Sequence, residues 1–365
     1  MALLIDVEDK VYLALVKKTE KGVLVENKEK NIQREIVYVL QKNEEYPPER
    51  YTVLILFHNE LPENYIFQVY EKKLNRRIGW IFPLQALLSN SHNFANDLHF
   101  LRIAYPAFVN LISSESITPH KVPKLKDDLC MEDFFSDDSV ILILDNEKLK
   151  EIDNFKIENY IPNLYKYGYF MQSNKIKLNR KVLDEFLDEV GSTSIRKRIN
   201  LSPISTSLKE DTFIYQLFKE QLGDEDHFVM RFYLLYQIVE LLIRKVFIDQ
   251  FNKKIVSITP SNEDLFELNK KLQEMTDEKF RINLLLHQYV QIISPELEEL
   301  LVTFLQVTVD KRKNYNLAYL LYRVRTFLVH EYRKITPEQK TLMEEINFYF
   351  ERIIIDLLIN YKNPN

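Results

Sequence analysis

The chain has 365 residues, 46% hydrophobic and 28% charged, enough apolar material for two cores and too much for a disordered chain. Its formal net charge of -5 supplies no global attraction to nucleic acid, so any RNA contact has to come from a local basic patch. The single cysteine, Cys130, excludes a disulfide framework and a multi-cysteine zinc site, and the five scattered glycines exclude the clustered-glycine phosphate loops of ATPases and nicotinamide enzymes.

The first residues, MALLIDVEDK, carry acidic groups where a signal peptide needs a positive start. No later run reaches the roughly 18 apolar residues that mark a membrane span, so a cytoplasmic location without membrane contact is expected. Residues 11–16 (VYLALV) and 23–26 read as a hairpin with Gly22 in the turn, and 36–40 suits a third strand or a short helix. Residues 51–57 (YTVLILF) and 65–70 read as strands, 80–88 stays open, and 93–113 reads as a helix interrupted at Pro106. Residues 140–144 (VILIL) form a buried strand between acidic turns.

Three groups in this half invite a functional reading. His58, Asn59 and Glu60 stand at a strand end, where chemistry often sits, although a turn is the commoner role. Asp145 follows VILIL and reads as a turn residue ahead of a magnesium ligand. The pairs Asp127-Asp128, Glu132-Asp133 and Asp137-Asp138 surround Cys130 and read as a solvated loop ahead of a cation site. Residues 1–190 are thus expected to form an α+β domain, and they resemble no known family.

A small, polar and basic stretch over 191–208, with Arg196-Lys197-Arg198 and then Pro203, reads as a linker whose basic triplet can touch RNA phosphates. From 209 to 365 the pattern is helical. Residues 227–251 place Phe228, Phe232, Leu235, Val239, Leu242 and Val246 four and three apart, the stripe of an amphipathic helix. Further helices are expected over 211–222, 264–275, 281–293, 295–309 and 336–361.

The segment 322–333, YRVRTFLVHEYR, concentrates the potential chemistry. At about 100° per residue, Arg323, Thr326 and His330 share one helical face and Arg325 and Tyr332 a second. Arg325 and His330 diverge by roughly 140°, so they meet only if the helix is distorted, if Arg325 reaches around, or if a second copy of the helix faces it. Phe327, Leu328 and Val329 supply an apolar back, and a core helix with a polar edge is the plain alternative. Around it, Lys311, Arg312, Lys313, Arg333 and Lys334 join the two arginines, interleaved with Tyr315, Tyr319, Tyr322 and Tyr332, a pattern suited to phosphate contacts and base stacking.

Arg325, His330 and Tyr332, as Arg-x4-His-x-Tyr inside RTFLVHEY, resemble the signature of the HEPN superfamily, small helical domains many of which are metal-independent endoribonucleases. Thr326 stands where that family more often has Asn, Asp or His. The string RFYLLYQIVELLIRK resembles an early helix of the same family that carries Glu-x3-Arg/Lys, here Glu240 and Arg244, which otherwise read as an intrahelical ion pair. The resemblance covers residues 209–361. It implies an all-α bundle that cleaves RNA with His330 as base or acid and Arg325 on the phosphate, supported by Arg323, Thr326, Tyr332, Glu240 and Arg244. It also implies RNA as partner, bound through Lys311, Arg312, Lys313, Arg333 and Lys334, a homodimer, no cofactor or metal, and a role in bacterial toxin or antiphage defence with an antitoxin or phage-derived trigger. A regulatory or sensor role for residues 1–190 is implied only by this resemblance. Two alternatives stay open: a non-catalytic RNA-binding or dimerisation module, and a toxin silenced by nucleotidylation of Tyr332.

Overall fold

A computed structural model describes all residues except 1, 8, 20–21, 29–30, 38–43, 59–64, 90, 115–116, 118–120, 125–130, 137, 172–197, 210, 226, 259–269, 271–272, 274–275, 292–293, 307–314 and 363–365. The fold is α+β, with the strands gathered in one compact unit (Met1–Ile157, Tyr167–Ser173, Lys181–Ser202) and most helices in a second (Glu158–Lys166, Asn174–Arg180, Pro203–Asn365).

The first unit opens on an antiparallel meander of β1 (Ala2–Val7), β2 (Lys10–Lys18), β3 (Gly22–Asn27) and β4 (Ile32–Val37). Period-two alternation buries Ile5, Ala14, Val16, Val23, Val25 and Ile36 and turns Val11, Leu13 and Leu15 outward. Gly22 is not in the turn as expected; it opens β3 and pairs with Val37.

A second sheet contains β5 (Tyr51–Phe57), β6 (Phe67–Glu71), β7 (Arg76–Pro83), β8 (Ser139–Asp145) and β9 (Arg198–Leu201), in the order β5-β8-β7-β6-β9. All pairs are antiparallel except β6 with β9. The open segment 80–88 resolves into the end of β7 and a 3-10 turn, Leu84–Leu87. β9 falls inside the segment read as linker; there Ile199 and Leu201 are buried strand residues.

Helix α1 (Leu98–Ser113), capped by the Asp97 side chain, contacts β2 and β3 of the first sheet and β5 and β8 of the second. Enclosure on both sides explains why LHFLRIAYPAFVNLIS is apolar all round. The expected interruption at Pro106 does not occur. Proline removes one backbone donor, at a cost of about 3 kcal/mol in a helix interior, and the burial of Phe100, Tyr105, Phe108, Leu111 and their neighbours offsets it. A short helix, α2 (Asn146–Leu149), follows β8.

The second unit holds α3 (Ile161–Lys166), α4 (Thr212–Gln216, continued by a π turn over Leu217–Gln221), α5 (Phe228–Ile258), α6 (Glu278–Tyr289), α7 (Pro295–Phe304), α8 (Leu317–His330) and α9 (Pro337–Asn360). The expected stripe of α5 is its core face: Phe232, Leu235, Val239, Leu242 and Val246 are buried. Phe232 meets Phe350 of α9 at 5.2 Å, and between the same helices Arg231 and Glu351 form a buried ion pair. α8 packs on α5, α6 and α7. The helix expected at 264–275 lies mostly outside the described residues. No helix among the described residues is long and apolar enough to cross a membrane.

Candidate functional site

Helix α8 starts where the Asn316 side chain accepts a hydrogen bond from the Tyr319 amide, and it anchors through buried Ala318, Leu320, Leu321, Val324 and Leu328. It stops at His330 because Glu331 leaves helical geometry, at φ -124° and ψ 17°, while its amide still bonds the Phe327 carbonyl at 2.7 Å. His330 is therefore an exposed residue at a helix C-terminus, where the backbone dipole favours a cation. Tyr332 belongs to the following 3-10 turn, Tyr332–Lys334, so the face it was expected to share with Arg325 does not extend to it.

Arg323 is exposed on the His330 side. Its Nη1 donates to the Tyr319 hydroxyl at 3.1 Å, with the guanidinium 5.9 Å from that ring. Tyr319 stacks on Tyr315 at 4.6 Å and 14°, and Lys279 of α6 places Nζ 5.7 Å from the Tyr319 ring and 5.2 Å from Tyr322. The Glu331 carboxyl is held below the ordinary range, first by a hydrogen bond from Lys334 and its charge, then by Arg323 and His330. Arg323 and His330 thus act on one carboxylate. Thr326 donates to the Tyr322 carbonyl at 2.9 Å, so its hydroxyl proton is committed to its own helix.

Arg325 turns the other way. Its Nη2 lies 3.4 Å from Glu240 Oε1 on α5, and its guanidinium 6.0 Å from the ring of buried Tyr236. The Tyr236 hydroxyl donates to Glu278 at 3.1 Å, and burial, ahead of the Glu278 charge, raises its pKa far above that of free tyrosine. Glu240 thus pairs across to α8, and no ion pair forms between it and exposed Arg244 among the described residues. The arrangement joins Arg325 with Glu240 and leaves Arg323 on the helical face of His330, two turns away.

Tyr332 is 45% exposed, and its hydroxyl lies 3.3 Å from His227 Nε2 just ahead of α5. The His227 ring stacks on Phe228 at 4.9 Å. Arg333 and Lys334 are exposed; Lys311, Arg312 and Lys313 lie outside the described residues. Neither His227 nor Lys279 was singled out from sequence, since each reaches the site by packing of a different helix.

Two of the remaining candidates, His58 and Asp145, have structural roles. His58 is buried against Tyr169 at 5.3 Å, and burial lowers its pKa to about 4. Asn59 and Glu60 lie outside the described residues. Asp145 caps α2, accepting from the Glu147 amide at 3.1 Å, and pairs with Arg50. Of the acidic belt, Asp127, Asp128, Cys130 and Asp137 lie outside the described residues, and no group of three or more His, Cys, Asp or Glu among the described residues is arranged to hold a metal.

No family model, curated protein or solved structure matches the chain.

Proposed function

We propose that the protein is an endoribonuclease that cleaves RNA through its own 2′-hydroxyl without a metal ion, with a role in bacterial toxin or antiphage defence, as the HEPN resemblance of residues 209–361 implies. The observation that carries this reading is the exposure of His330 at the open end of α8, with exposed Arg323 on the same helical face. The same face carries Arg323, bonded to the Tyr319 hydroxyl, and Tyr319 stacked on Tyr315, which supplies a cation and a flat aromatic surface beside the helix end.

In this reading His330 takes the 2′-hydroxyl proton, O2′ bonds to phosphorus, and the P–O5′ bond breaks as O5′ takes a proton. The products are a 2′,3′-cyclic phosphate and a 5′-hydroxyl. An arginine stabilises the extra charge on the phosphorane. Within one chain Arg323 is the arginine for that work, because Arg325 is paired with Glu240; a second copy of α8 across a two-fold axis would supply the other proton-transfer group.

The test incubates purified wild type, His330→Ala, Arg323→Ala and Arg325→Ala with total RNA in EDTA. Wild type alone should leave cyclic-phosphate ends, with His330→Ala slowed about 100-fold or more. Equal background in all four defeats the ribonuclease reading, and retained RNA binding without cleavage assigns a non-catalytic module instead.

One observation favours a second reading. In it the exposed Tyr332 hydroxyl, 3.3 Å from His227 Nε2, bonds to the α-phosphorus of a nucleoside triphosphate as pyrophosphate leaves, with His227 taking the phenolic proton. Mass spectrometry of the protein after exposure to a nucleotidyltransferase and ATP, compared with Tyr332→Phe, tests it.

A further inference from the structure

In the first unit, β7 has one residue more than β6 across the span where they pair: Val69 pairs with Gly79 and Tyr70 with Arg77, leaving Ile78 as the extra residue of a bulge. In a regular strand Arg77 and Trp80, three apart, would point to opposite faces. The bulge brings them together, and the Arg77 guanidinium lies 5.5 Å from the Trp80 ring centre. Gly79 permits the close approach of β8, since a Cβ there would collide with the Ile143 carbonyl.

The result is a cleft of about 240 Å³ over β7 and β8, walled by Arg102 and Ile103 of α1. Buried Ile78, Gly79, Trp80 and Ile143 lie at its base, and cations ring its mouth. Arg50 is committed to Asp145 by two hydrogen bonds, 3.0 and 2.6 Å, so this pair is neutral. Arg102 lies 5.2 Å from the Tyr46 ring and donates to its hydroxyl at 3.4 Å. Among the described residues neither Arg77 nor Arg102 pairs with a carboxylate. A guanidinium laid on a ring keeps its N–H edge available for two parallel hydrogen bonds to an anion. Lys148 adds a further positive charge at the rim, 3.6 Å from exposed Glu151. In a chain of net charge -5, this cleft is a local concentration of positive charge.

We infer that the cleft binds a nucleoside phosphate, with Arg77 and Arg102 holding the phosphate and the Tyr46–Arg102 layer offering a flat surface to the base. The cations select an anion, and the aromatic and guanidinium planes select one that carries a planar ring. The volume, just below the roughly 300–1,000 Å³ usual for ligand clefts, suits a single nucleotide. The site belongs to the sheet-containing unit and stands whether or not the helical unit cleaves RNA.

Calorimetric titration of the full chain with AMP, GMP, CMP and UMP tests this, with adenosine and inorganic phosphate as controls. At least one monophosphate should bind saturably below millimolar concentration, and both controls about tenfold or more weaker. Arg77→Ala, at an exposed position, and Arg102→Ala should each weaken it about tenfold or more while the circular-dichroism melt is retained, and Arg102→Lys should fall between. If Arg102→Ala unfolds, Arg77→Ala decides alone. Absence of binding by every monophosphate overturns the inference, as does binding unchanged in both alanine variants or equal affinity for inorganic phosphate. A 5′-phosphorylated tetranucleotide run alongside separates the sources of the ligand: binding of both assigns the cleft to the terminal nucleotide of a chain, and binding of the monophosphate alone to a free nucleotide.

Discussion

The Arg325 guanidinium lies 3.4 Å from the Glu240 carboxylate, and the two side chains are 32% and 46% exposed. A pair this open to solvent contributes about 0–1 kcal/mol to stability, so its effect is positional: it aims Arg325 toward α5 and away from the end of α8. Glu240→Gln should therefore change the unfolding free energy from urea denaturation by no more than about 1 kcal/mol and release Arg325. RNA affinity, measured by filter binding at fixed salt, should rise severalfold. An unchanged affinity would remove Arg325 from the RNA surface.

The buried pair of Arg231 and Glu351 behaves differently. Arg231 also donates to the Leu222 carbonyl at 2.6 Å, and burial raises the Glu351 pKa against the pull of the arginine. Arg231→Ala leaves a carboxyl without its cation in the core between α5 and α9, at a cost of about 3–5 kcal/mol in chemical denaturation. The double variant Arg231→Met, Glu351→Leu should recover most of that loss, because replacing both partners leaves no buried charge to desolvate.

His58 sets a pH dependence. Burial lowers its pKa from 6.5 to about 4, so as pH falls the unfolded chain takes up a proton before the folded one does. The penalty is absent above pH 6.5 and grows as pH falls toward 4, reaching up to about 3 kcal/mol. The wild-type melting temperature should drop across this window, and His58→Gln should flatten the drop.

At Gly79, alanine would drive Cβ into the backbone of β8. The strands have to part, at an expected cost of about 1–3 kcal/mol, and a thermal melt of Gly79→Ala reads it directly.

Elements whose signal is local were legible in advance. YTVLILF marks β5 end to end because an apolar run of strand length sits between polar breaks, and the α5 stripe follows from the helical period alone. ALLIDV carries no turn signal ahead of it to mark a strand, and it becomes β1 by pairing with β2. RINL is too short to announce β9, which exists through its parallel pairing with β6. In the candidate site, the turn at Glu331 put Tyr332 off the helical period, and the Arg325–Glu240 and Lys279–Tyr322 contacts depend on how neighbouring helices pack. A single helix wheel contains none of that information.

The pairing of Gln68 with Arg198 and Glu71 with Leu201 has a consequence for synthesis. While the chain is growing, the edge of β6, with its buried Phe67 and Val69, waits for a partner until Arg198–Leu201 leave the ribosome. An unpaired apolar edge is a template for strands of other chains, so the nascent protein passes through an aggregation-prone stage that lasts for roughly a third of its translation, from Glu71 to Arg198. A chain ending at residue 190 would hold that stage permanently, and a chain ending at residue 202 would close the sheet.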